Sequence, residues 1–226
     1  KAISLNPNYA EAYNNLGVAL KELGKLKESE NNYKKAISLN PNYAGAYNNL
    51  GIIFKDQGIL SESLTNYKKA ISLNPNYAEA YNNLGMTLRE LGKLKESEDN
   101  YKKAISLNPN YADAYYNLGI TKRDLGKLNE AITANKNAIK INQNYVEAYN
   151  NLGLVLKDLG KLDESEDNYK KAILLNPNYA DAYNNLSFTK MLQKNFREAF
   201  KLSEWRWKTN QNVGKRLITN KPIWKG

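Results

Sequence analysis

The phrase LNPNYAEAYNNLG recurs with small changes every 34 residues. Repetition at that period dominates every other signal, because each unit buries only part of its apolar surface alone and must stack on its neighbours. With Ala10 as position 1, the units are residues 10–43, 44–77, 78–111, 112–145, 146–179 and a degenerate sixth, 180–208; residues 209–226 form a basic segment containing Trp. Residues 1–9 match the last nine positions of a unit, so the pattern predicts a continuation upstream.

Position 4 is Tyr in every unit, from Tyr13 to Tyr183, and position 7 is always Leu, from Leu16 to Leu186. Position 8 is Gly17, Gly51, Gly85, Gly119 and Gly153, then Ser187. Position 20 is Ser or Ala throughout, position 27 is Ala36, Ala70, Ala104, Ala138 and Ala172, and position 32 is usually Pro. The apolar residues at positions 4, 7 and 11, then 17, 24, 28 and 30, fit two amphipathic helices per unit. Small residues at positions 8, 20 and 27 let those helices approach to roughly 8–10 Å. The pattern resembles the tetratricopeptide repeat, whose signature is an aromatic, Leu-Gly, a small residue, an aromatic, Ala and Pro. The resemblance implies an all-α fold, a right-handed α-solenoid of tandem helix–turn–helix hairpins.

Asn8, Asn42, Asn76, Asn110, Asn144 and Asn178 precede the first helices, with an acidic residue three positions on in every unit but the second, where Gly45 stands. This predicts Asn N-caps in a capping-box arrangement. Gly24, Gly58, Gly92, Gly126 and Gly160 fall between the paired helices, where a left-handed cap is expected. Lys194 replaces that Gly in the sixth unit, and Arg206 replaces the position-27 Ala. Both departures predict that the stack ends there.

The resemblance places positions 2, 5, 6, 9, 12 and 13 on the concave surface lined by first helices. Position 6 is Asn in all six units (Asn15, Asn49, Asn83, Asn117, Asn151, Asn185), and position 5 is Asn14, Asn48, Asn82, Asn150 and Asn184, with Tyr116 in the fourth. Position 12 is basic in five: Lys21, Lys55, Arg89, Arg123 and Lys157. A carboxamide carries a donor and an acceptor, so it can pair with both groups of a peptide bond. The column is similar to the asparagine ladder of the repeat arm in O-linked N-acetylglucosamine transferases. Two readings stand side by side: a peptide-binding ladder in a free groove, and a mainly structural feature of the repeat. The paired lysines of the second helices read as a solvated face balanced by nearby Glu.

The chain has no Cys and no His, which removes thiolate chemistry, disulfides and the commonest metal ligand and general base. Carboxylates that recur once per unit are too far apart for a catalytic dyad or a metal cage. No enzyme activity and no cofactor are therefore expected of these residues. The formal charge is +10, but residues 201–226 hold seven Lys or Arg against one Glu. A nucleic-acid-binding array would spread its charge along a groove, so no nucleic acid is expected as partner. No apolar run is long enough to cross a bilayer, and a soluble, cytoplasmic protein is expected.

Trp205, Trp207 and Trp224 are the only tryptophans, and a capping role over the last hairpin is expected for Trp207, Leu217, Ile218, Ile223 and Trp224. Glu204 to Trp207 and Pro222 to Gly226 also look like the junction of bacterial proteins in which such an array precedes a glycosyltransferase-like domain. The functional expectation is a scaffold binding a protein or extended peptide. The alternatives are a substrate-recognition arm of a larger glycosyltransferase-type protein and self-association through exposed solenoid ends.

Overall fold

The computed structural model of the chain describes residues 2–203. After the short α1 (Ala2–Leu5) come six helix pairs: α2 (Ala10–Glu22) with α3 (Leu26–Leu39), α4 (Ala44–Asp56) with α5 (Leu60–Leu73), and α6 (Ala78–Glu90) with α7 (Leu94–Leu107). They continue as α8 (Ala112–Asp124) with α9 (Leu128–Ile141), α10 (Val146–Asp158) with α11 (Leu162–Leu175), and α12 (Ala180–Leu192) with α13 (Phe196–Ser203). No strand occurs among the described residues. The chain forms two compact units, Lys1–Asn117 and Leu118–Gly226, so α8 begins in one and ends in the other. In the first unit α3 packs on α4 and α5 on α6; in the second α9 packs on α10 and α11 on α12. This is the all-α tandem-hairpin fold the period implies. The expected cap built on Trp207, the Arg206 substitution and the transferase-like junction lie outside the described residues.

The turn inside each hairpin follows from one conformational requirement. Gly24 has φ 73°, a region that costs a residue with a Cβ roughly 1–2 kcal/mol. With it in place, the Gly24 N–H donates to the Lys21 carbonyl at 2.9 Å and the Lys25 N–H to the Leu20 carbonyl at 2.9 Å, which satisfies the helix end. Lys194 keeps the same turn with φ 62° despite its side chain. The substitution therefore strains the sixth hairpin without abolishing it, and α13 follows directly.

The start of the first helices corrects the sequence reading. At α2, α4, α6, α10 and α12 the capping residue is a tyrosine, such as Tyr43, and none of the five makes a side-chain cap bond. Asn42 does not cap. Its own N–H donates to the Asn40 side chain at 3.1 Å, while the Tyr43 N–H donates to the Asn40 carbonyl at 3.1 Å. Asn40, Pro41, Asn42 and Tyr43 thus close a turn around the fixed φ of proline, and Asn40 is the side chain that serves it. The same Asx bond recurs at Asn6, Asn74, Asn108, Asn142 and Asn176.

The core of a hairpin is a ring laid on a glycine. Tyr33, Tyr67, Tyr101 and Tyr169 are essentially fully buried. A Cβ built on Gly51 would lie 2.7 Å from Tyr67 Cε1, closer than packed atoms tolerate. Ser29 Oγ donates to the Gly17 carbonyl at 2.7 Å, and Ser97 and Ser165 repeat the bond to Gly85 and Gly153. Where the ring is missing the pairing changes with it: position 24 is Ser203 in the sixth unit, position 8 is Ser187, and Ser187 Oγ donates to the Ala199 carbonyl at 2.8 Å. Tyr33 and Tyr67 also receive the next hairpin. Leu50 and Ile53 pack on Tyr33, and Leu84 and Leu88 pack on Tyr67.

Candidate functional site

The first helices of neighbouring hairpins touch along one face, α2 with α4, α4 with α6 and α10 with α12. Helical periodicity brings positions 5, 6, 9, 12 and 13 to that side, and the contacts assign the two asparagine columns different jobs. Asn49 Nδ2 donates to Asn14 Oδ1 at 3.0 Å, Asn83 to Asn48 at 3.1 Å, Asn117 to Asn82 at 3.1 Å and Asn185 to Asn150 at 3.0 Å. Position 6 of one hairpin is thus bonded to position 5 of the hairpin before it. The acceptors Asn14, Asn48 and Asn82 are 4–7 % exposed, while Asn49, Asn83, Asn150, Asn184 and Asn185 are half-buried and Asn15 is exposed.

A column lying free in a groove is therefore not what the chain builds. Among the position-6 asparagines, Asn117 is 8 % exposed, Asn151 is 6 % exposed and Asn83 is half-buried. The physical reason is the cost of an unpaired buried amide, which the side chains avoid by pairing with one another. Asn151 follows a different route, with its Nδ2 donating to Asn135 Oδ1 at 3.0 Å. Asn135 occupies the position of the core tyrosines and donates in turn to the Ala131 carbonyl. Two further tyrosines flank the buried acceptors. Burial pushes the Tyr77 phenol up, and it pushes the Tyr111 phenol up to about 12, while Asn48 and Asn82 beside them act in the opposite sense.

The basic column is half-buried throughout: Lys21, Lys55, Arg89, Arg123 and Lys157. Arg123 Nε donates to Asp158 Oδ2 at 2.7 Å, again from position 12 of one hairpin to position 13 of the next. Among the described residues Lys21, Lys55 and Arg89 make no ion pair. The second-helix lysines are solvated as expected, with Lys34, Lys102 and Lys170 about half exposed beside Glu30, Glu98 and Glu166.

Sequence reasoning missed one buried charge cluster. Position 11 is Leu in three units but Lys190 in the sixth, and Lys190 is only 7 % exposed. Its Nζ reaches Glu166 at 2.6 Å and Glu198 at 3.1 Å, and Lys170 holds the same Glu166 oxygen at 2.6 Å. Burial pushes the Glu166 carboxyl up, but hydrogen bonds from Lys170, Lys190 and Gln193 outweigh it and hold the group at about 2. Burial likewise depresses Lys190, and its two carboxylate partners more than compensate, leaving its pKa raised. Lys122, at position 11 of the fourth unit, is also buried and pairs with Glu130. The available signal was the replacement of Leu by Lys at a position that elsewhere packs.

Among the described residues no group of acidic side chains is arranged to hold a metal ion, and no helix is long and apolar enough to cross a membrane.

Comparison with known proteins agrees with this geometry. A model of the TPR repeat matches residues 19–58, 53–88, 85–122 and 121–160, and further tetratricopeptide models match 146–179 and 1–31. No curated protein sequence matches the chain. Among solved structures, the complex of the anaphase-promoting-complex protein Cut9 with Hcn1 matches with a TM-score of 0.84 at 18 % identity, over 94 % of this chain and 42 % of that one. The chain thus spans about two-fifths of that protein. MamA matches with a TM-score of 0.64 at 30 % identity, over 73 % of this chain and 96 % of that one. YrrB, described as a TPR protein with an unusual peptide-binding site, matches with a TM-score of 0.62 at 26 % identity, over 80 % and 93 %. Such arrays are typically non-catalytic interaction scaffolds. With the family models running from residue 1 to residue 179 and the hairpin geometry repeated throughout, the chain belongs to the tetratricopeptide repeat family.

Proposed function

We propose that the chain is a scaffold whose first-helix face holds an extended segment of a partner protein by its backbone. The observation that carries this reading is the pairing of Asn49, Asn83 and Asn117 with the preceding hairpin. One N–H of each carboxamide is already used, which restricts its rotation, and at the half-buried Asn49 and Asn83 the carbonyl oxygen and second N–H are left for a ligand. A pre-oriented amide loses less freedom on binding than a rotating one. Within the first unit Asn15 precedes these three, Asn14, Asn48 and Asn82 accept from them, and the basic residues at position 12 flank them; in the second unit Asn185 donates to Asn150, next to Asn184. The likeness to YrrB, a TPR protein with an unusual peptide-binding site, supports the same class of ligand.

The test works on the ligand, because truncating an asparagine would also weaken the array. Dodecapeptides selected by the full chain from a random library are compared with versions N-methylated at every third amide. Methylation is expected to weaken binding at least tenfold, which needs only about 1.4 kcal/mol, more than replacing any one side chain by Ala. Unchanged affinity after methylation, or failure of the chain to retain any peptide, would sink the reading.

A further inference from the structure

The spacing and direction of the asparagine pairs specify what backbone can follow them, an inference that rests on the peptide-binding reading above. In the first unit the chain of pairs runs without a gap from Asn14 and Asn49 through Asn48 and Asn83 to Asn82 and Asn117. Packed helices repeat at ~8–10 Å, and two carboxamides joined by one hydrogen bond span about 10 Å from backbone to backbone. A ligand therefore advances about three residues per hairpin.

Three is an odd number, and that decides the conformation. Successive residues of a β-strand point to opposite sides, so a strand advancing three residues per step would offer alternate edges to successive asparagines. Every second carboxamide would meet side chains instead of backbone. A polyproline II helix has three residues per turn, rises ~3.1 Å per residue and has no internal hydrogen bonds. It advances ~9.3 Å per turn and brings the same backbone groups to each asparagine, with all its carbonyls free to accept.

The charges flanking the column add a side-chain preference. Lys21, Lys55 and Arg89 stand at position 12 of consecutive hairpins, half-buried and without an ion pair among the described residues, whereas Glu22, Asp56 and Glu90 beside them are exposed to solvent. Partly desolvated cations gain more from a counter-charge than carboxylates already in water. A helix with three residues per turn turns one residue in three towards that row. We infer that the first unit binds a polyproline II segment with an acidic residue at every third position.

The probe is a peptide of four Glu-Pro-Pro units, in which each turn carries one carboxylate and one backbone N–H. One control has the same composition with the glutamates moved to every second position; another, built of Glu-Thr-Val units, keeps the spacing but favours a strand. With the full chain, fluorescence polarisation is expected to show the Glu-Pro-Pro peptide binding at least tenfold more tightly than either control. A Lys55→Gln/Arg89→Gln chain is expected to lose that preference. If the three peptides bind alike, or only library-selected peptides of other character bind, the polyproline inference is overturned while backbone capture stands. If no peptide binds at all, both fall.

Discussion

Replacing Glu166 by Gln should flatten the response of the array to acid. Glu166 is held at about 2 against an ordinary value of 4.5, and it is only 9 % exposed, so solvent screening takes little from the effect. A depression of that size corresponds to about 3 kcal/mol of folding free energy, at 1.36 kcal/mol per unit. Because the folded value lies below the unfolded one, the contribution is complete above about pH 5 and is lost as the pH falls towards 2. Urea melts followed by helical circular dichroism at pH 7, 5, 4, 3 and 2, on the natural chain and on Glu166→Gln, isolate the group, since the other carboxylates are common to both. The natural chain should lose about 3 kcal/mol more than the variant between neutral and low pH. At pH 7 the variant should start about 1–3 kcal/mol lower, the cost of a buried charged hydrogen-bond set broken on one side. Parallel profiles would mean that the carboxyl is not held by Lys170, Lys190 and Gln193 in solution, and the reasoning would fail.

Two further perturbations address the hairpin joints. Gly51→Ala should destabilise by about 1–2 kcal/mol net, because overpacking against Tyr67 exceeds the roughly 1 kcal/mol that Ala gains over Gly in a helix; a neutral or stabilising result in denaturant melts, with Lys68→Ala as an inert reference, would mean that ring contact is not the constraint. Lys190→Leu alone should cost about 2–4 kcal/mol by taking from Glu166 the more buried of its two cations, while adding Glu166→Leu should restore most of it; melts in which the double variant is worse than the single one would refute that account.

Much of this architecture is legible in the sequence because it repeats. The period locates both helices of each hairpin, Gly24 and its equivalents announce the left-handed turn, and Ala36 and its equivalents announce the buried stripe. The joints are harder to read, because they depend on how one hairpin sits on the next. Asn49 pairs with a residue one repeat and one position away, an offset that no periodicity encodes, so a row of identical residues looks like a surface when it is half a seam. The capping error has a local cause: the proline turn at Asn40–Tyr43 carries the chain one residue further before the helix begins, so Tyr43 and not Asn42 stands at the cap. Lys190 is hard to read for a third reason. A long cation at an apolar position is read from sequence as an exposed defect, unless the carboxylates that receive it can be placed beside it.

The offset pairing also bears on how such a gene can change in length. Excising residues 44–77 from the first unit would bring Asn83 against Asn14, asparagine against asparagine as before, so the seam heals. The same edit further along is not silent. Removing residues 146–179 would seat Lys190 against Ile132, the residue that stands in the fourth unit where Glu166 stands in the fifth, and a desolvated ammonium would lose its principal counter-ion. Recombination between near-identical repeats can therefore lengthen or shorten the first unit at little structural cost, while the fifth and sixth hairpins must be inherited together.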